Sequence, residues 1–162
     1  MNCWLMKTEP DTFSIDDLAA RPDRMEAWDG VRNYQARNFI RQMRPGDEVL
    51  IYHSSCPQPA IVGIAEVAGE PRPDPTQFNP KSPGFDPRSK PDEPRWYLVD
   101  VRYREHLARP VTLARLKAQR EDFNGLLLLD RGRLSVLPVS KDHRERILAL
   151  CAHARMPANR TD

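Results

Sequence analysis

Eight of the 16 prolines in this chain stand at positions 71, 73, 75, 80, 83, 87, 91 and 94. Each fixes φ and removes a backbone N–H, so residues 69–95 are excluded from a helix or a central strand. A loop this long inside a compact domain is usually functional or disordered. Phe78 and Phe85 are the aromatic groups expected to pin it to the body, which argues against a linker between domains. A length of 162 residues is enough for one hydrophobic core.

On either side of that segment the sequence is periodic. Residues 2–6 read as a first strand. Ser14 suits a helix N-cap, with Asp17 three residues on, and Pro22 stops the short helix that follows. Ala36, Phe39, Ile40 and Met43 recur at helical spacing and predict a helix over 33–43, closed by Pro45-Gly46-Asp47. Val49–Tyr52 and Ala60–Val67 read as neighbouring antiparallel strands. Trp96–Tyr103 alternates with period two, with Tyr97, Val99, Val101 and Tyr103 on one face. Val111-Thr112-Leu113 opens a helix through Leu116. Leu126–Leu129 is a buried element of open type, and Leu134-Ser135-Val136 a last short strand. Ser140 caps a helix to Cys151, and residues 154–162 are expected to form a loose tail. Strands in the middle, with helices between and after, predict an α+β domain on a curved, mostly antiparallel sheet.

The net charge of +2 gives no global field for a polyanion. Arg32, Arg37, Arg41 and Arg44 nevertheless fall in one segment, with Arg37, Arg41 and Arg44 expected opposite the apolar face of their helix. Cys3, Cys56 and Cys151 lie far apart in sequence, which argues against a disulfide framework or zinc ribbon and for a reducing, cytoplasmic compartment (nuclear in a eukaryote). No apolar run approaches the length of a membrane helix. No GxGxxG, GxxxxGK[ST] or HExxH is present, and the histidines show no metal-ligand spacing with the cysteines. No cofactor or metal is expected.

Three constellations remain. Lys7-Thr8-Glu9-Pro10-Asp11 follows the first strand and could hold a polar ligand; Glu9 and Asp11 could also take magnesium, or the stretch is a solvated turn. Trp28-Asp29-Gly30-Val31-Arg32-Asn33 joins a stacking platform to a turn glycine, a forked cation and an amide, although a core tryptophan beside an exposed arginine reads equally well. Tyr52-His53-Ser54-Ser55-Cys56 sets imidazole, hydroxyls and a thiol at a strand end. Adjacent strand residues face opposite ways, so His53 and Ser54 are not expected to touch.

These segments together resemble the EVE domain family of the PUA-like superfamily. The resemblance runs over about residues 2–150. It is carried by Trp4–Pro10, Phe13–Leu18, Trp28–Asn38, Tyr52-His53-Ser54, Ile61–Ala65, Pro73–Thr76, Pro94-Arg95-Trp96 and Arg133–Val136. It implies a PUA-like β-barrel surrounded by short helices, in a single domain over residues 2–153. It also implies a non-catalytic reader, similar to the YTH readers, that holds a modified base of DNA or RNA, methylated or hydroxymethylated, in an aromatic-walled pocket. Trp28 and Val31 would then form a wall, Lys7 and Thr8 the rim, and Asn33 and Gln35 the edge contacts. Tyr52, His53 and Ser54 would close another side with Ser135 near by, and Arg32 and Arg37 would take phosphate. Thr8 stands where the family usually has serine, and Lys81–Phe85 lacks an expected tyrosine pair. Two alternatives stay open: a nuclease or base-acting hydrolase using Lys7, Glu9 and His53, and a free-nucleoside sensor.

Overall fold

The computed structural model describes residues 1–153, and the tail expected at 154–162 lies outside the described residues. Eight strands and five α-helices make a mixed α+β domain. The strands are β1 (Cys3–Thr8), β2 (Met25–Ala27), β3 (Glu48–His53), β4 (Ala60–Val67), β5 (Arg72–Pro73), β6 (Tyr97–Leu98), β7 (Asp100–Thr112) and β8 (Val136–Val139). The helices are α1 (Ile15–Ala20), α2 (Tyr34–Gln42), α3 (Leu113–Ala118), α4 (Leu127–Asp130) and α5 (Lys141–His153).

Six strands form one sheet in the order β2-β7-β4-β3-β1-β8, with β1 and β3 parallel and every other pair antiparallel. The outer strands β2 and β8 do not pair with one another, so the curled sheet is a half-barrel. Register shifts bend it at Ile51/Tyr52, Ile61/Gly63 and Ile64/Ala65. At Gly63 the curl brings elements so close that a Cβ would lie 1.8 Å from Ile15 Cδ1 and 2.7 Å from the carbonyl of Glu105. The core collects Leu5, Met6, Leu50, Ile51 and Ile61 from the central strands, with Leu18, Ile40, Leu116 and Ile147 from the helices. Among the described residues no helix is long and apolar enough to cross a membrane.

The helix starts follow local chemistry. Ser14 and Asp17 form a reciprocal capping box at α1. Thr112 caps α3, and Ser140 Oγ accepts from the N–H of His143 in α5. Strand β7 runs on to Thr112, nine residues beyond the alternation of 96–103. Its register against β4 jumps from His106 to Val111 across Pro110, which has no N–H to offer the ladder. That break hides the second half of the strand from a periodicity argument. Arg44 lies beyond the end of α2, so it does not continue the Arg37/Arg41 face.

The proline-rich segment is ordered by polar groups. It carries β5, paired with β6, and a 3₁₀ turn over Pro75–Phe78. Its anchors are the fully buried Asp74 and Gln77, together with Ser89. Phe85 is exposed and Phe78 only half-buried, so the expected aromatic pins do not carry the attachment. The Gln77 amide donates to the carbonyls of Asp74 (2.7 Å) and Trp96 (2.9 Å), while its oxygen accepts from Ser89 Oγ and the N–H of Trp96. A segment poor in backbone donors is thus satisfied by one buried amide.

Candidate nucleic-acid interface

Pairing of β2 with β7 ends at Ala27↔Asp100, and the next N–H, of Trp28, donates to Val99 (2.9 Å). This fixes Trp28 beside the end of β1, where Lys7 and Thr8 emerge. The three residues line one cleft of about 380 Å³ with Thr12, Phe13, Glu26, Ala27 and Asp29. Trp28 is mostly buried and meets Phe13 edge-to-face at 6.0 Å. Thr8 Oγ1 donates to the carbonyl of Phe13 (2.6 Å), holding the loop that brings this ring over.

The cleft mixes signs. Lys7 Nζ donates to the carbonyl of Gly132 (3.0 Å) and lies 5.8 Å from the centre of the Tyr52 ring. Partial burial lowers its pKa. Asp29 is exposed, yet partial desolvation of its carboxyl first, and then the negative neighbours Asp74 and Glu26, raise it above its ordinary value. Glu26 is paired with Arg21 at 2.7 Å. The cleft therefore sets an ammonium and a carboxyl beside two aromatic rings.

Other expected site residues take different positions. Val31 is buried next to the wall. Asn33 Oδ1 caps α2 by accepting from the N–H of Ala36 (2.9 Å), which leaves its amide nitrogen as the free end. Gln35 is half-buried on the first turn of α2. Tyr52 is buried, its hydroxyl pushed up to about 12 by burial. His53 Nε2 accepts from the N–H of Ile15 (3.1 Å), so the imidazole serves the start of α1, and burial lowers its pKa. Ser54 donates its N–H to the carbonyl of Thr8, and Ser135 supplies the carbonyl that receives the N–H of Lys7, both at 2.9 Å. The in-register pairs Lys7↔Tyr52 and Thr8↔His53 put Lys7 and His53 on opposite faces of the pleat. The trio Lys7, Glu9 and His53 is accordingly not gathered at one point. Among the described residues no group of three or more His, Cys, Asp or Glu side chains is placed to hold a metal ion.

Arg32 is turned inward. It donates to Asp74 Oδ2 (3.0 Å), Thr76 Oγ1 (2.9 Å) and the carbonyls of Gly84 and Val31 (both 2.9 Å). With its fork engaged it clamps the proline-rich segment and has little left for a phosphate. Arg37 differs: it lies over the Tyr34 ring at 4.9 Å and bonds only neutral acceptors, Asn38 and the carbonyl of Arg95. Sequence reasoning missed Phe13, Glu26 and Asp29. Only Asp29 carried a signal, through its place next to Trp28.

The EVE domain family model matches residues 2–150. The chain belongs to the EVE domain family. Mouse thymocyte nuclear protein 1 is 42% identical to it over 165 residues, taking in 92% of this chain and 73% of the relative. The human protein is 40% identical over 163 residues, covering 91% and 72%. Among solved structures, that of the human THYN1 protein in complex with DNA containing 5-methylcytosine superposes with a TM-score of 0.91 at 40% identity, covering 93% of this chain and 98% of that one. A protein from Pseudomonas putida gives 0.86 at 47% identity, covering 92% and 99%. The PUA-like fold implied by the sequence motifs is thus the fold of this EVE domain. The mouse and human relatives are nuclear by name, so the cytoplasmic expectation finds no support in them.

Proposed function

We propose that this chain, as one EVE domain over residues 2–153, is a non-catalytic reader of 5-methylcytosine in DNA. The observation that carries the reading is its likeness, at 40% identity and a TM-score of 0.91, to a relative solved with 5-methylcytosine DNA. The cleft chemistry agrees with it. A carboxylate at Asp29 accepts from the N4 amine of cytosine, and Lys7 donates to the O2 and N3 side of the ring. The methyl group rests against Phe13 and Trp28. A base inside a duplex must be flipped to reach such a cleft, at a cost of a few kcal/mol. Contact with the aromatic wall offsets part of this, since base–aromatic stacking contributes about 1–3 kcal/mol.

Burying one methyl adds only about 0.8 kcal/mol, so discrimination against unmodified cytosine is about four-fold unless polar contacts change too. The test is fluorescence anisotropy on single- and double-stranded oligonucleotides, DNA and RNA, that differ only in one cytosine. Asp29→Asn and Lys7→Ala are expected to weaken binding to the methylated DNA about ten-fold each, a loss of about 1.4 kcal/mol. Equal binding of methylated and plain cytosine, with both variants at wild-type affinity, would remove the reader assignment. Magnesium-dependent cleavage of the oligonucleotide would move the function to hydrolysis.

A further inference from the structure

A second cleft, of about 320 Å³, lies away from the base cleft and is lined by Arg37, Arg88, Lys90, Glu93, Pro94 and Arg95. It gathers four cations and one carboxylate, in a chain whose whole net charge is +2. Among the described residues none of the four cations is in an ion pair. An aromatic ring, Tyr34, sits between Arg37 and Arg95. Tyr34, half exposed, stacks on Trp96 at 4.8 Å, and its hydroxyl meets Arg95 Nη1 at 3.5 Å.

The frame under these charges is rigid. Ser89 Oγ, itself bonded to the buried Gln77, accepts from the N–H of Arg95 (3.0 Å). Glu93 N–H closes a turn onto the carbonyl of Lys90 (2.9 Å), and Pro87, Pro91 and Pro94 stiffen the intervening chain. Asp86 accepts from Trp96 Nε1 (2.7 Å) and from the backbone N–H of Arg88 (2.9 Å), so that carboxylate is built into the frame, with Arg95 and Arg88 near enough to attract it without an ion pair. Cations fixed in advance on a proline-stiffened frame lose less freedom on binding a polyanion than cations on a mobile loop.

We propose that Arg37, Arg88, Lys90 and Arg95 grip the phosphodiester backbone of the nucleic acid whose base occupies the first cleft; this rests on the reader assignment. Cations free of ion pairs, beside an exposed aromatic ring, are the footprint of a nucleic-acid groove rather than of a protein contact. The grip gives affinity without sequence information, and the Trp28 cleft gives the selection.

The test uses the full chain and the double variant Arg88→Gln/Lys90→Gln, two exposed changes outside the base cleft, with an unchanged melting temperature as the control for folding. Affinities for one duplex carrying 5-methylcytosine and one carrying cytosine are measured between about 50 and 200 mM salt, the range over which phosphate contacts weaken strongly. The slope of log K against log salt is expected to fall by up to about 1.8, which is about 0.9 per lost phosphate contact. The ratio of affinities for the two duplexes should stay unchanged. Wild-type slope and affinity in the double variant would overturn the grip while leaving the reader intact. Loss of slope in a protein that never distinguished the two duplexes would support the grip and remove the reader. No binding to either duplex at the lowest salt would overturn both. Wild-type DNA binding together with lost binding to phosphatidylserine–phosphatidylcholine vesicles would overturn the grip in favour of a membrane surface.

Discussion

The N–H of Ile15 donates to Nε2 of His53, which requires that nitrogen to be unprotonated. Burial lowers the pKa of the ring from 6.5. The unfolded chain therefore binds this proton more readily than the folded one. The contribution to stability is complete above about pH 6.5 and is lost as pH falls below it. His53→Gln keeps an acceptor that does not titrate. Its melting temperature should fall less than wild type's between about pH 7.5 and 5.5. Parallel curves for the two proteins would show that the imidazole does not act this way. Gly63 is a steric case, because Ile15 Cδ1 and the Glu105 carbonyl occupy the space of a Cβ. Gly63→Ala is expected to cost about 1–3 kcal/mol in urea unfolding, and an unchanged midpoint would mean that α1 can shift freely. Trp28→Ala removes a buried wall at about 3–5 kcal/mol, so Asp29 and Lys7 are the cleaner probes of binding.

At the scale of elements, the proline-rich segment is held by one carboxylate. Burial pushes Asp74 up, but hydrogen bonds from Thr76, Gly30 and Arg32 outweigh this and hold its pKa below the ordinary value. Its stabilisation is present above the unfolded pKa of about 3.9 and is lost as pH falls through the lower folded value. Asp74→Ala also leaves the Arg32 guanidinium unpaired and 23% exposed. The expected loss is about 2–4 kcal/mol, with hydrogen exchange speeding up first over residues 72–96. Uniform exchange across the molecule would refute a segment clamped at Asp74. This attachment was not legible in the sequence, because Asp74, Gln77 and Ser89 stand among prolines with no periodic signal. What was legible followed from local chemistry. Ser14 and Ser140 mark helix starts through their own side chains, and the 49–52 and 60–67 runs mark central strands; the helix read as opening at Val111 begins only at Leu113, because Val111 and Thr112 belong to β7. The cleft was half legible: Lys7, Thr8 and Trp28 come together, whereas Glu26 joins it only through the pairing of β2 with β7, and Phe13 through the hydrogen bond of its carbonyl with Thr8. Arg32 read as a phosphate contact because a donor's type can be read from sequence, while its internal partner Asp74, 42 residues away, cannot.

Across the whole molecule, the stretch from Trp28 to Tyr34 joins the two clefts, with the aromatic wall of one at its start and the stacked tyrosine of the other at its end. Asp74 fixes the middle of this stretch through the N–H of Gly30 (2.8 Å) and through Arg32 (3.0 Å). A nucleic acid that fills both clefts therefore binds the folded chain alone, since neither cleft exists without the β2–β7 pairing and the proline-rich frame. Ligand present at about 100 times its dissociation constant then adds about 2.7 kcal/mol to the folded state. For a domain of this size the melting temperature should rise by roughly 5–11 °C. Asp29→Asn, an exposed change at the mouth of the first cleft, should melt like wild type without DNA and show a smaller rise with methylated duplex at the same concentration. The Arg88→Gln/Lys90→Gln protein should lose the rise for methylated and plain duplex alike. An equal rise in all three proteins would place the nucleic acid on neither cleft, and the calorimetric scan that measures it needs no labelled ligand.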